Sequence, residues 1–172
     1  MLKVGRQAPD FVKMDAYVDG EIEQVSLNDY RDKWVVLFFY PADFSFVCPT
    51  ELRELAERKG EFDEQDTVIL GASTDSIYSH TAWFEEELSE VNFPVIADPT
   101  HELSEAYGVL EEEQGLALRG TFIIDPDGVV KYQLVSDLNT GRSVEETLRV
   151  LKALQTGEMC PVDWAPGEET LE

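Results

Sequence analysis

An α/β domain with a mixed central sheet flanked by helices is what this sequence predicts, and three features predict it. Continuous apolar runs rich in aromatic and β-branched residues recur at residues 34–40 (WVVLFFY), 67–73 (TVILGAS) and 120–125 (GTFIID). Segments with apolar residues at helical spacing lie between and after these runs. A turn at residues 126–128 (PDG) folds the third run back on residues 129–135 (VVKYQLV) as a hairpin.

Each element has its own justification. Residues 34–40 show no polar alternation, as expected of a strand covered on both faces. Leu52, Leu55, Ala56 and Phe62 then mark a helix, residues 67–73 a second buried strand, and residues 77–88 another helix. After the hairpin, Val144, Leu148, Leu151 and Leu154 recur at helical spacing. Helices alternating with buried strands, closed by a hairpin and a helix, read as a thioredoxin-like arrangement. At 172 residues the chain is the size of one domain, expected over residues 1–160. Residues 161–172, rich in proline and acid, are expected to form a mobile tail.

Composition narrows the function. Acids outnumber bases 36 to 13, a formal net charge of −23, which repels nucleic acid and anionic lipid alike. No apolar run approaches the length of a membrane span, and no leader-like segment opens the chain, so a cytoplasmic location is expected. The acids lie in short clusters between apolar segments and read as a solvated surface. High salt screens such a surface, to about 3 Å at 1 M, so a halophilic setting is expected.

The two cysteines, Cys48 and Cys160, are too few for a secreted disulfide scaffold and form no CxxC pair. With two histidines and no cysteine pair at metal spacing, neither a metal nor a cofactor is expected. Cys48 stands where a helix should begin, because Pro49 suits a first helical turn. Free N–H groups and the positive end of the helix dipole stabilise a thiolate at such a position. An ordinary buried cysteine is the bland alternative. Asp43 and Glu51 oppose a thiolate, so a cation from elsewhere is required. Arg119, opening an apolar strand, is the outstanding candidate, since a charge there is costly unless paired. Arg142, ahead of the last helix, is less diagnostic. His80 and Trp83 in SHTAW read as structural, and His101 as a surface residue.

These segments together resemble the typical two-cysteine peroxiredoxins, the group that contains the alkyl hydroperoxide reductase peroxidase subunit. FYPADFSFVCPTEL carries the family's PxxxTxxC motif as Pro41, Ser45 and Cys48, with serine for the usual threonine. LRGTFIIDPDG supplies Arg119, and GRSVEETLRVLKALQ and GEMCPVDW match the family's C-terminal helix and resolving segment. The resemblance implies a thiol-dependent peroxidase that reduces hydrogen peroxide and organic hydroperoxides. In it Cys48 is peroxidatic, Ser45 helps hold the peroxide, Pro41 shields the pocket and Arg119 stabilises charge. Glu51 would fix Arg142 and Arg119 or serve as a first-turn acid that favours the helix dipole, and Tyr40 either donates to the pocket or packs. Cys160 fits the resolving role. Spacing leaves open whether its bridge to Cys48 lies within one chain or between two; the resemblance implies two, in a homodimer that often assembles to a decamer. Either a thioredoxin-like protein or a flavoprotein disulfide reductase would be the electron donor. A ring-forming holdase or scaffold with secondary redox activity is the competing reading.

Overall fold

The computed structural model describes residues 1–171. The fold divides into two compact units, residues 1–142 and a C-terminal unit from Ser143 onward.

The first unit opens with a hairpin of β1 (Met14–Val18) and β2 (Glu21–Val25), joined at Asp19 and Gly20. Both turn residues take positive φ, 47° and 87°, the pattern that an Asp-Gly dipeptide favours in a tight hairpin. A 3-10 turn at Leu27–Tyr30 leads into β3 (Trp34–Phe39), then α1 (Cys48–Glu57), α2 (Lys59–Glu64) and β4 (Thr67–Ser73). The apolar stripe expected as one helix is split, because Arg58 (φ −98°, ψ 7°) leaves helical geometry just before Gly60. There follow α3 (Ile77–Glu86), β5 (Val95–Ala97), α4 (Glu102–Ala106), a small ribbon of β6 (Leu110–Glu111) and β7 (Leu116–Ala117), then β8 (Arg119–Ile124) and β9 (Val130–Ser136).

Seven strands form one mixed sheet in the order β2-β1-β5-β4-β3-β8-β9. β3, β4 and β5 run parallel, and the outer strands pair antiparallel. The parallel centre explains the unbroken apolar runs: β3 and β4 are covered on both faces, so no polar face alternates along them. Alternation instead sorts their side chains between two buried layers. Val35, Leu37 and Phe39 join Leu70, Ile96, Phe122 and Ile124 in one core cluster. Phe38 has the opposite parity and lies under the Arg142 guanidinium. α2 packs on β4, and α3 on β1 and β5.

The second unit is α5 (Val144–Thr156) and the segment after it. The Ser143 side chain caps α5 by accepting from the Glu146 amide, and Gly157 (φ 68°) ends it. Beyond it, the Leu171 amide donates to the Met159 carbonyl, and the Trp164 indole donates to the Glu168 carbonyl. Glu172, the last residue of the expected tail, lies outside the described residues.

Candidate active site

β3 ends at Phe39, and residues 41–47 carry the chain to α1, whose first residue is Cys48. Pro49 occupies the first turn, where its missing N–H is no loss. The Cys48 sulfur is fully buried, and Nη1 of Arg119 donates to it at 3.4 Å. Arg119 enters from the start of β8, which pairs antiparallel with β3. Gly120, the next residue of β8, admits the Val109 side chain, since a Cβ there would lie 2.6 Å from it.

Three charged side chains surround the sulfur, all almost entirely buried. Arg119 Nη1 donates to Glu51 Oε1 at 2.6 Å, and its Nε donates to the Leu138 carbonyl at 2.8 Å. Arg142 grips Glu51 twice, Nε to Oε2 at 2.7 Å and Nη2 to Oε1 at 3.0 Å, and its backbone N–H adds a third bond to Oε2. Its Nη1 donates to Gly120 O and Thr121 Oγ1, and the guanidinium lies 3.3 Å above the Phe38 ring centroid. Burial pushes the Arg142 guanidinium below its ordinary range, while the bonds and charge of Glu51 oppose that shift. Two guanidinium groups against one carboxylate leave one excess positive charge. In a dry site that excess favours an anion beside it.

Arg142, the less diagnostic arginine in sequence, is thus as deeply held as Arg119. The Tyr40 hydroxyl donates to Asp43 Oδ1 at 2.6 Å. Burial holds the phenol well above its ordinary range, Asp43's charge adds to this, and Tyr40 remains a donor. Asp43 Oδ2 lies 2.6 Å from His80 Nδ1, so this acid is engaged with partners of its own. Pro41 is buried directly after β3, and Ser45 Oγ donates to the Ala42 carbonyl at 2.6 Å, leaving its lone pairs to accept. Asp43, Asp75 and His80 form, among the described residues, the one group with donor atoms close enough for a metal ion, within 4.8 Å of one another. Those atoms already hold protein partners: Tyr40, the Asp43 amide and Ser73 among them. Cys160, half-buried, belongs to the second unit, its sulfur 3.5 Å from Thr156 Oγ1 and 3.7 Å from the Ala153 carbonyl.

Residues 4–133 match the AhpC/TSA family. The chain is 50% identical to peroxiredoxin prdx-2 of Caenorhabditis elegans, over 98% of this chain and 88% of that one. The chain belongs to the peroxiredoxins of the AhpC/TSA family. Peroxiredoxins are thiol-dependent peroxidases, and this one is an oxidoreductase of that kind. Its thioredoxin-like fold superposes on the reduced 2-Cys peroxiredoxin of Plasmodium vivax with TM-score 0.94 at 34% identity, covering 100% of this chain and 94% of that one. The AhpC of Mycobacterium bovis gives TM-score 0.87 at 36% identity, covering 95% and 98%. In this peroxiredoxin the sequence reading overlooked the carbonyls of Leu138 and Gly120, which orient the arginines. No residue type announces a carbonyl acceptor. It also passed over the Tyr40–Asp43–His80 network, whose only signal was a histidine beside an aromatic.

Proposed function

We propose that Cys48 is the peroxidatic thiol of an enzyme that reduces hydrogen peroxide and organic hydroperoxides, with Cys160 as the resolving thiol. The observation that carries this reading is the buried Cys48 sulfur 3.4 Å from an Arg119 guanidinium that Glu51 holds in place. The thiolate attacks the terminal peroxide oxygen as the O–O bond breaks. The leaving oxygen departs with the bonding pair and takes a proton, giving water or an alcohol and a Cys48 sulfenic acid. Ser45 accepts a hydrogen bond from the bound peroxide, Pro41 excludes water, and Arg119 stabilises charge on both the attacking and leaving atoms. Glu51 and Arg142 fix Arg119, and Tyr40 supports the loop that carries Ser45.

The Cys160 thiol then displaces the hydroxyl from the Cys48 sulfur, giving a disulfide and water. A disulfide needs Cα atoms about 4.4–6.8 Å apart, and the Cys48 sulfur is fully buried. Resolution therefore requires the first turn of α1 to unwind and Cys160, the last residue of the 1–160 domain, to move together with the tail that follows it. The bridge joins two chains of a homodimer, which assembles to a decamer, and a thioredoxin-like protein or a flavoprotein disulfide reductase restores the thiols. The working compartment is the cytoplasm, and among the described residues no helix is long and apolar enough to cross a membrane.

Stopped-flow peroxide consumption followed by a non-reducing gel tests the reading. Rapid consumption with a chain-to-chain band that vanishes in Cys160→Ser is expected. A band that persists in that variant would remove Cys160 from the resolving role. The −23 charge carries a second expectation, a cell rich in salt. The melting temperature should rise between dilute buffer and molar potassium chloride as self-repulsion is screened, and a flat profile would count against a halophilic setting.

A further inference from the structure

Residues 41–47, the loop between β3 and α1, lack regular structure and must still hold Ser45 in place. Phe44 within the loop takes φ 54°, a left-handed conformation that is strained for a non-glycine residue. External ties therefore have to over-determine its shape. They converge on Asp43, whose side chain is completely buried. Its Oδ1 accepts from the Tyr40 hydroxyl at 2.6 Å, and its Oδ2 meets His80 Nδ1 at 2.6 Å. Its backbone N–H donates to Asp75 Oδ2 at 2.8 Å, and Asp75 is itself held by the Ser73 hydroxyl at the end of β4.

His80 is also fully buried and reaches across to the sheet, with Nε2 3.0 Å from the carbonyl of Ile96 in β5. A carbonyl can only accept, so Nε2 carries a proton. The contact between Nδ1 and Oδ2 holds one more proton between its two atoms. The pair is then neutral as a unit, with each polar atom matched, and it links the loop to α3 and β5. Ala42 immediately precedes Asp43, and its carbonyl receives the Ser45 hydroxyl at 2.6 Å.

We propose that the buried Asp43–His80 pair is a positioning element for the peroxide step, setting the Ser45 hydroxyl through the Ala42 carbonyl. The inference rests on the reading of Cys48 and Ser45 given above. It assigns Asp43 a purpose opposite to the one its charge suggests beside a thiol: His80 neutralises the carboxylate, and its geometry does the work. Nothing in this chain of contacts touches Arg119 or Glu51, so thiolate formation should be indifferent to it.

The test is a double-mutant cycle on the full chain, reading kcat/KM for hydrogen peroxide together with thiolate absorbance near 240 nm. Asp43→Ala and His80→Phe should each lower kcat/KM by about tenfold, within the range for a misplaced catalytic group, with the absorbance unchanged. In the Ser45→Ala background the same changes should add little, because their effect passes through that hydroxyl. Asp43→Asn, which can accept from Tyr40 and donate to His80, should restore most of what alanine loses. Should either disruptive variant fail to fold by circular dichroism, Tyr40→Phe removes one bond of the network at constant volume and carries the same cycle. Additive losses, an unchanged kcat/KM in folded variants, a loss that tracks thiolate absorbance, or no recovery in Asp43→Asn would overturn the positioning role. Cys48→Ser measured alongside separates two failures: if it still consumes peroxide the reading of the site is wrong, and if it is inactive only the role of the pair falls.

Discussion

Cys48→Ser should abolish peroxide consumption, lowering the initial rate at least a thousandfold while leaving the fold intact. The substitution is nearly isosteric, and the serine oxygen would occupy the position now 3.4 Å from Arg119 Nη1. What changes is chemistry. A serine hydroxyl stays protonated where a cysteine ionises, and its oxygen cannot be oxidised to a sulfenic acid by an O–O bond. Among the described residues the other candidates at the site are already engaged: Glu51 is held by both arginines and Ser45 donates to a backbone carbonyl. Rate by stopped flow, with unfolding followed in parallel, checks the expectation. Activity above about one per cent in the folded variant would mean that a different group attacks peroxide.

The elements that were legible in sequence are those whose pattern reports burial directly. β3 and β4 sit at the centre of a sheet covered on both faces, so their residues are apolar without interruption, and their bounds are read within a residue. α5 shows its buried stripe because Val144, Leu148 and Leu151 recur on one face. The hairpin of β1 and β2 escaped notice because β2 exposes four of its five residues, leaving no apolar signal. Its mark was Asp19-Gly20, a turn dipeptide that deserved more weight than the strands around it. β5, three residues long, and α4, five, are below the length at which periodicity means anything.

The site was legible to a different depth. Cys48, Pro41, Ser45 and Arg119 stand in motifs that can be read in order along the chain. Arg142 was less diagnostic on its own residues because its segment, Gly141-Arg142-Ser143, is polar; the family resemblance paired it with Glu51, and tertiary folding carries the guanidinium over Phe38 and onto that carboxylate. Asp43 misled for the converse reason. An acid five residues before a cysteine argues against a thiolate by proximity, yet the turn of the loop delivers its carboxylate to Tyr40 and His80. Sequence distance reports neither direction nor partner, and charge arguments depend on both.

Glu51→Ala should produce the largest loss of stability of any single change at the site, about 3–5 kcal/mol, the range for breaking a buried ion pair by removing one partner. Arg119 and Arg142 would then face each other across a dry cavity with their carboxylate gone, each still almost fully buried. Urea unfolding reads this directly as a lower midpoint with an unchanged slope. In an Arg142→Met background the same change should cost less, because one guanidinium rather than two is left unpaired. The rate of peroxide reduction should fall about a hundredfold, the scale of a roughly 1 Å misplacement of a catalytic group. Electrostatics alone argues the other way, since removing an anion leaves the cluster more positive and more hospitable to a thiolate. Thiolate absorbance decides between the two. If absorbance is kept while the rate falls, the function of Glu51 is to aim Arg119 at the reacting atoms. If both are lost together, Glu51 supports the ionised thiol by holding the arginines near it, and the balance of one negative against two positive charges is the quantity that matters.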